Sequence, residues 1–203
     1  MSVREKDHPE LFRRIQEQNL LRQYDLLTNC IEIGLEKGVE DFDKYTLWSL
    51  NHAAVANIAQ FGGRYRQEPI YVSDHIPPHF RDVPEHMDRF FSVVHENWTI
   101  MEHPTLLPAY ALWRLNWIHP FVEGNGRTAR AACYYLICMR HGELLPGKKL
   151  CLRELGKTES HTMTHSKPQT VPGKTATLMS MNSQRTCSDF LRSSLLTSSA
   201  EKR

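Results

Sequence analysis

The strongest constraint on the fold lies between Leu106 and Ile118, where Tyr110, Trp113 and Trp117 fall on one helical stripe and Ala111, Leu115 and Ile118 on another. A helix apolar nearly all round must be enclosed by others, so this segment predicts the middle of a bundle. The same period recurs on both sides. Leu11 and Ile15, then Leu20, Tyr24, Leu27, Ile31 and Leu35, predict two N-terminal helices between about Pro9 and Lys37. Leu47, Leu50, Ala54 and Ile58 predict a third over residues 43–60, ended by Gly62-Gly63, and further helices are expected over 84–100 and 127–140, the latter stopped by Gly142 and Pro146. The period changes only over residues 64–76. There Tyr65, the run Ile70-Tyr71-Val72, the turn residues Ser73-Asp74 and the closing Pro77-Pro78 predict one short hairpin. The expected architecture is all-α with a single small β-hairpin.

Charge and composition remove several function classes. The 203 residues hold 25 Lys and Arg against 23 Asp and Glu, for a formal charge of +2. Nucleic-acid binders concentrate a basic excess, so no nucleic-acid partner is expected. The charged opening MSVREKDHPELFRR has no apolar core of a secretory signal, and the longest apolar run, residues 131–139, is far short of the roughly 20 residues that span a bilayer. A soluble cytoplasmic protein without a membrane partner is the expectation. Five scattered cysteines without CxxC spacing read as reduced thiols. His95-Glu96 has Thr99 where a zinc-binding HExxH helix needs its second histidine. Between Lys157 and Ser199, 17 of 43 residues are Ser or Thr, and apolar periodicity is lost until Phe190. The chain therefore divides into an N-terminal helical segment over 1–42, a core over 43–156 and a Ser/Thr-rich, disordered tail over 157–203.

The chemistry concentrates in His119-Pro-Phe-Val-Glu123-Gly-Asn-Gly-Arg127-Thr-Ala-Arg130, between two predicted helices. Gly124-Asn125-Gly126 makes a tight turn whose backbone N–H groups open a helix, a ready anion site. Arg127 and Arg130, three residues apart, can both reach one polyphosphate. Glu123 offers a hard oxygen to Mg²⁺, which bridges phosphates rather than sitting in an all-protein cage. His119 supplies a base that titrates near neutrality. Each element alone is a common structural feature; their conjunction within one short segment specifies nucleotide handling.

This segment resembles the signature HxFx(D/E)GNGRxxR of the Fic (Fido) domain family, and every specified position matches. The resemblance extends over about residues 24–146, with Gly63-Arg64-Tyr65-Arg66 similar to the entry of the family's target-positioning flap and Pro77-Pro78 to its exit. It implies a Fic-type helical bundle with one hairpin flap, and a protein adenylyltransferase that moves AMP from ATP to a Ser, Thr or Tyr hydroxyl of a target protein, releasing pyrophosphate. On the same resemblance His119 deprotonates the hydroxyl, Glu123 holds Mg²⁺ and Phe121 anchors the loop. Gly124, Asn125 and Gly126 hold the α- and β-phosphates with Arg127, and Arg130 lies near the γ-phosphate. The same site could transfer another nucleotide, phosphate or phosphocholine, or survive as an inactive nucleotide-binding module with an antitoxin-like partner.

The resemblance also raises self-inhibition, since many Fic proteins place a glutamate of an (S/T)xxxE(G/N) helix on the second motif arginine. Thr28-Asn-Cys-Ile-Glu32 lies N-terminal to the core, as one class requires, but is followed by Ile33; Ser92-Val-Val-His-Glu96-Asn97 fits the letters and lies inside a core helix. Glu32 is the leading inhibitory candidate by position. A second nucleotide motif, Gly142-Glu-Leu-Leu-Pro-Gly147-Lys148-Lys149, ends in Lys where Mg²⁺ binding needs Ser or Thr, and reads as a helix stop.

Overall fold

The computed structural model describes residues 2–146 apart from 73, 74 and 102. The described residues form five α-helices: α1 (Pro9–Lys37), α2 (Lys44–Val55), α3 (Val83–Glu96), α4 (Leu106–Ile118) and α5 (Asn125–His141). The described residues are thus all-α, as expected. The Ser/Thr-rich tail and its Phe190–Leu196 stripe lie outside the described residues.

The two expected N-terminal helices are one. Nothing between Ile15 and Leu20 breaks a helix, and the gap in the apolar stripe has a different cause: Asn19 and Gln23 occupy core-facing positions. Their amides donate across to α2, Asn19 Nδ2 to the Ala56 carbonyl at 2.8 Å and Gln23 Nε2 to the Leu50 carbonyl at 3.1 Å. Buried amides with such partners pack like core residues. Further along, α1 crosses α5 so closely that a Cβ on Gly34 would collide with the Tyr135 hydroxyl.

Helix α2 opens on Asp43, whose carboxylate accepts from the N–H groups of Tyr45 and Thr46, a cap worth about 1 kcal/mol. It stops at Val55, five residues before the expected end. Side chains from elsewhere take the carbonyls of its last turn and the residue beyond it, and Asn57 turns into the left-handed region with φ 63°. Helix α3 likewise ends at Glu96 rather than Ile100.

Core side chains of α1, α2 and α4 pack on α5, which is buried almost all round from Ala131 to Cys138, and α3 packs on α4. Helix α4 is one-sided. Ala111, Leu115 and Ile118 are buried, while the aromatic stripe is only partly covered, with Trp113 38% exposed. Arg114 lies over the Trp117 ring at 4.4 Å, so a cation covers the aromatic face that the sequence pattern assigns to another helix.

Between α2 and α3 the expected hairpin is not seen. The described residues show one isolated antiparallel bridge, Val72 to His75, and Ser73 and Asp74 lie outside them. Pro69, Pro77 and Pro78 each lack the N–H that a ladder needs. Side-chain hydrogen bonds to α4 shape this segment instead.

Candidate active site

Helix α4 ends where His119 adopts the left-handed conformation, φ 51° and ψ 59°, its N–H donating to the Leu115 carbonyl. Histidine is one of the few side chains that enter this region with any frequency, and the turn reverses the chain into α5. The imidazole is half-buried, and its Nδ1 lies 3.3 Å from the Asn116 carbonyl. A carbonyl only accepts, so Nδ1 carries the proton and Nε2 the lone pair. Burial pushes this imidazole down to about 4; the Asn116 hydrogen bond opposes that, and Arg66 and His75 reinforce it. His119 is therefore a neutral imidazole at pH 7.

Phe121, 1% exposed, sinks into the core beside Tyr65. The loop around it is closed by Asn125: the Phe121 N–H donates to Asn125 Oδ1 at 2.9 Å, and Asn125 Nδ2 donates to the Phe121 carbonyl at 2.8 Å. The Asn125 side chain is thus spent on the loop, and its backbone is what remains for a ligand. Gly124, at φ 75°, precedes α5, whose N-terminus has no side-chain cap. The first N–H groups of such a helix have no partner within it, and the helix dipole adds positive potential there. A Cβ on Gly124 would meet Val55 Cγ1 at 2.6 Å, and one on Gly126 would meet Arg130 Nη1 at 3.2 Å. The Arg130 guanidinium therefore lies back over the start of its own helix.

The two motif arginines differ. Arg127 is buried, with Nη1 donating to the Ala54 carbonyl at 2.6 Å and Nη2 3.8 Å from Glu123 Oε1, whereas Arg130 is only partly buried. Arg127 ties the motif to the end of α2 and stands beside the half-exposed Glu123 carboxylate. Among the described residues no group of three His, Cys, Asp or Glu lies close enough to hold a metal. A metal here would need Glu123 together with ligands from a substrate, the arrangement Mg²⁺ commonly takes with phosphates.

Glu32 is not brought to this turn. It is exposed on α1, between Ile31 and Gly34, level with Tyr135 rather than with Arg130, and it makes no ion pair among the described residues. Gln23, which marks the level of Leu50 near the motif, lies nine residues earlier on α1, roughly 13 Å along a helix. Glu96 is likewise exposed, at the end of α3.

Three residues without an assigned role complete the site. Asn51, 1% exposed on α2, donates from Nδ2 to the Glu123 carbonyl and to Thr128 Oγ1, and accepts from the Gly63 N–H. Arg66 and His75, from the segment between α2 and α3, bond the carbonyls at the end of α4. Asn51 shares a helical face with Leu47 and Ala54, and a polar amide on a core face is the sequence signal that could have found it.

This helical fold sets the left-handed His119 and the uncapped N-terminus of α5 at the two ends of one short turn. Residues 41–137 match the model of the Fic/DOC family. The protein adenylyltransferase Fic of Drosophila persimilis is 33% identical over 131 residues, 64% of this chain and 25% of that protein. The protein of the same name from Drosophila melanogaster is 33% identical over 131 residues, covering 64% and 26%. The chain spans about a quarter of the length of these curated relatives. A Fic domain containing signaling protein from Bacteroides thetaiotaomicron, solved by crystallography, aligns at 20% identity with a TM-score of 0.49, covering 66% of this chain and 55% of that one. Residues 41–137 carry the likeness to the Fic/DOC family. Among the described residues no helix is long and apolar enough to cross a membrane.

Proposed function

We propose that this protein is a protein adenylyltransferase that transfers AMP from ATP to a hydroxyl side chain of a target protein in the cytoplasm. The observation that carries this reading is the pairing of a neutral, Nδ1-protonated His119 at the end of α4 with the uncapped, glycine-flanked N-terminus of α5 six residues later. In the proposed step the target hydroxyl oxygen attacks the α-phosphorus. Its proton passes to His119 Nε2, the bond from the α-phosphorus to the β-bridging oxygen breaks, and pyrophosphate leaves. Transfers of this kind depend on in-line positioning and charge neutralisation more than on covalent help from the protein.

The backbone of Gly124, Asn125 and Gly126 is the cradle for the α- and β-phosphates, and a Cβ at Gly126 would take part of that space. Arg130, folded over Gly126, contributes the guanidinium for the terminal phosphate. Arg127 supports the cradle from below and orients Glu123. Glu123 would hold Mg²⁺, which would supply charge neutralisation for the departing pyrophosphate. Phe121 keeps the loop rigid. On this reading residues 43–156 are the catalytic core, 1–42 a helical segment open to a regulatory role, and 157–203 an appended tail. An antitoxin-like protein that blocks the Arg130 side of the cradle would be an inhibitory partner.

The test is incubation with ATP labelled at the α-phosphate, Mg²⁺ and candidate proteins, followed by mass spectrometry of the labelled peptides. An AMP-sized addition on Ser, Thr or Tyr is expected. Label carried only from the γ-phosphate would make the reaction a phosphorylation, and nucleotide binding without transfer to any protein would reduce the domain to a binding module.

A further inference from the structure

From Leu115 to Phe121, every backbone carbonyl at the end of α4 has a named donor. The Leu115 and Asn116 carbonyls are taken by the His119 N–H and Nδ1. The Trp117 carbonyl accepts from His75 Nε2 at 2.8 Å. Arg66 serves the next three: Nη2 reaches the Ile118 carbonyl at 3.5 Å, Nε the His119 carbonyl at 2.8 Å, and its backbone N–H the Pro120 carbonyl at 2.9 Å. The Phe121 carbonyl accepts from Asn125. A helix C-terminus ordinarily leaves its last carbonyls to water or to a local turn. Here two side chains from the segment between α2 and α3 do that work, from more than forty residues away.

Arg66 is unusual in its own right. It is 3% exposed and makes no ion pair among the described residues, and burial lowers its proton affinity. A buried guanidinium without a carboxylate is costly unless its donors are satisfied, and these face carbonyl oxygens, including those of Glu68 and Pro78 at the two ends of its own segment. Its cation also sits at the negative end of the α4 dipole. One side chain thus ties both ends of the flap segment to the backbone of the proposed base.

We propose that Arg66, seconded by His75, is the positioning residue that holds His119 in its left-handed backbone conformation, so that seating of these two side chains on the end of α4 sets the base. This rests on the reading of His119 as the general base. Arg66 touches neither ATP nor target; it acts through the His119 carbonyl. His75 acts through the Trp117 carbonyl and packs on the Trp117 ring at 5.8 Å. The flap would then shape the catalytic turn in addition to positioning a target.

The experiment compares Arg66→Met, Arg66→Lys, His75→Gln and His75→Phe in the full chain. In protein without nucleotide, NMR reads the His119 φ-sensitive HN–Hα coupling, its Cα shift and its ring ¹⁵N tautomer signature. With ATP and a target, kcat and KM for ATP are read separately. Arg66→Met is expected to keep the helical circular dichroism, lose the positive-φ signature of His119 and lower kcat on the order of 100-fold while KM for ATP moves little. Lysine keeps the charge without the fork and should restore only part of kcat. His75→Gln, which still donates, should resemble wild type, and His75→Phe should not.

An unchanged His119 signature in folded Arg66→Met overturns the proposal. If Arg66→Met does not fold, Arg66→Lys and His75→Phe decide: a shifted His119 signature in either upholds it, and an unchanged one in both overturns it. The NMR readout moves whether or not AMP is transferred. A shifted signature in a protein without transferase activity would therefore refute the proposed function and leave the positioning role standing.

Discussion

Asn51 Nδ2 donates to the Glu123 carbonyl at 2.9 Å, tying the last turn of α2 to the motif turn across 72 positions of sequence. The same amide reaches Thr128 Oγ1 and takes the Gly63 N–H, so one buried side chain joins α2, the flap entry and α5. Replacing it with alanine strands the Gly63 N–H without its acceptor and the Glu123 carbonyl without its donor. Asn51→Ala should lower stability by about 1–3 kcal/mol, the ordinary cost of unpaired buried groups. Urea denaturation at pH 7 measures it, and an unchanged midpoint would show that water replaces the amide.

His119→Ala should abolish transfer while leaving ATP affinity within a few-fold, because the imidazole acts on the hydroxyl rather than on phosphate. The pH profile carries a second signature. A base is active when unprotonated, and burial holds the His119 pKa at about 4. The acidic limb of kcat/KM should therefore fall near pH 4 rather than near the 6.5 of an exposed histidine. The same depression affects stability: between about pH 6.5 and 4 the unfolded chain binds the proton and the folded one does not. The contribution is full above pH 6.5 and is lost as pH falls toward 4. A wild-type limb at pH 6.5 would remove the buried, neutral histidine from the mechanism.

Two glycines of the same turn should respond in opposite ways. At Gly124, φ 75° and Val55 Cγ1 at 2.6 Å leave no room for a side chain. Gly124→Ala should cost at least the roughly 1–2 kcal/mol of a left-handed L-residue. Gly126 has helical backbone, and its Cβ would meet only the guanidinium of Arg130, at 3.2 Å. Gly126→Ala should leave the melting temperature unchanged or slightly higher while displacing that guanidinium and weakening ATP. Equal destabilisation by both would mean that Gly126 is structural and not part of the cradle.

The turn of the motif was legible because its residues are contiguous: the proposed base, cradle, carboxylate and two arginines occupy one short stretch whose spacing alone implies a turn between helices. Helices α4 and α5 were legible for a related reason, since Gly142 and the reversal at His119 end them locally. Elements finished from a distance were not. The end of α2 depends on Asn19 and Arg127, and the continuity of α1 through its middle depends on Asn19 and Gln23 finding carbonyls on α2. The flap read as a hairpin because its apolar run alternates with turn residues. Among its described residues the Val72–His75 bridge is the one pairing seen, and Arg66 and His75 are engaged with the end of α4. Periodicity reports which face is buried. It does not report which polar side chain is buried with it.

The two arginines, which the sequence motif treats alike, should respond differently to removal. Arg127 is buried, with Nη1 on the Ala54 carbonyl at 2.6 Å, so Arg127→Ala removes a charge-assisted bond and leaves a buried carbonyl without its donor. Such a loss should cost roughly 1.5–3 kcal/mol. It should also release Glu123, whose carboxylate stands 3.8 Å from Arg127 Nη2, and so weaken the dependence of transfer on Mg²⁺. Arg130, partly buried and folded over Gly126, should behave differently. Arg130→Ala should leave the melting temperature within a degree or two and raise KM for ATP on the order of tenfold, the effect of losing about 1.4 kcal/mol of charge-assisted binding. Thermal melts with ATP titrations of both variants make the comparison. A variant pair in which Arg130 sets stability and Arg127 sets ATP affinity would reverse the assignment and place the terminal phosphate on the Glu123 side of the turn.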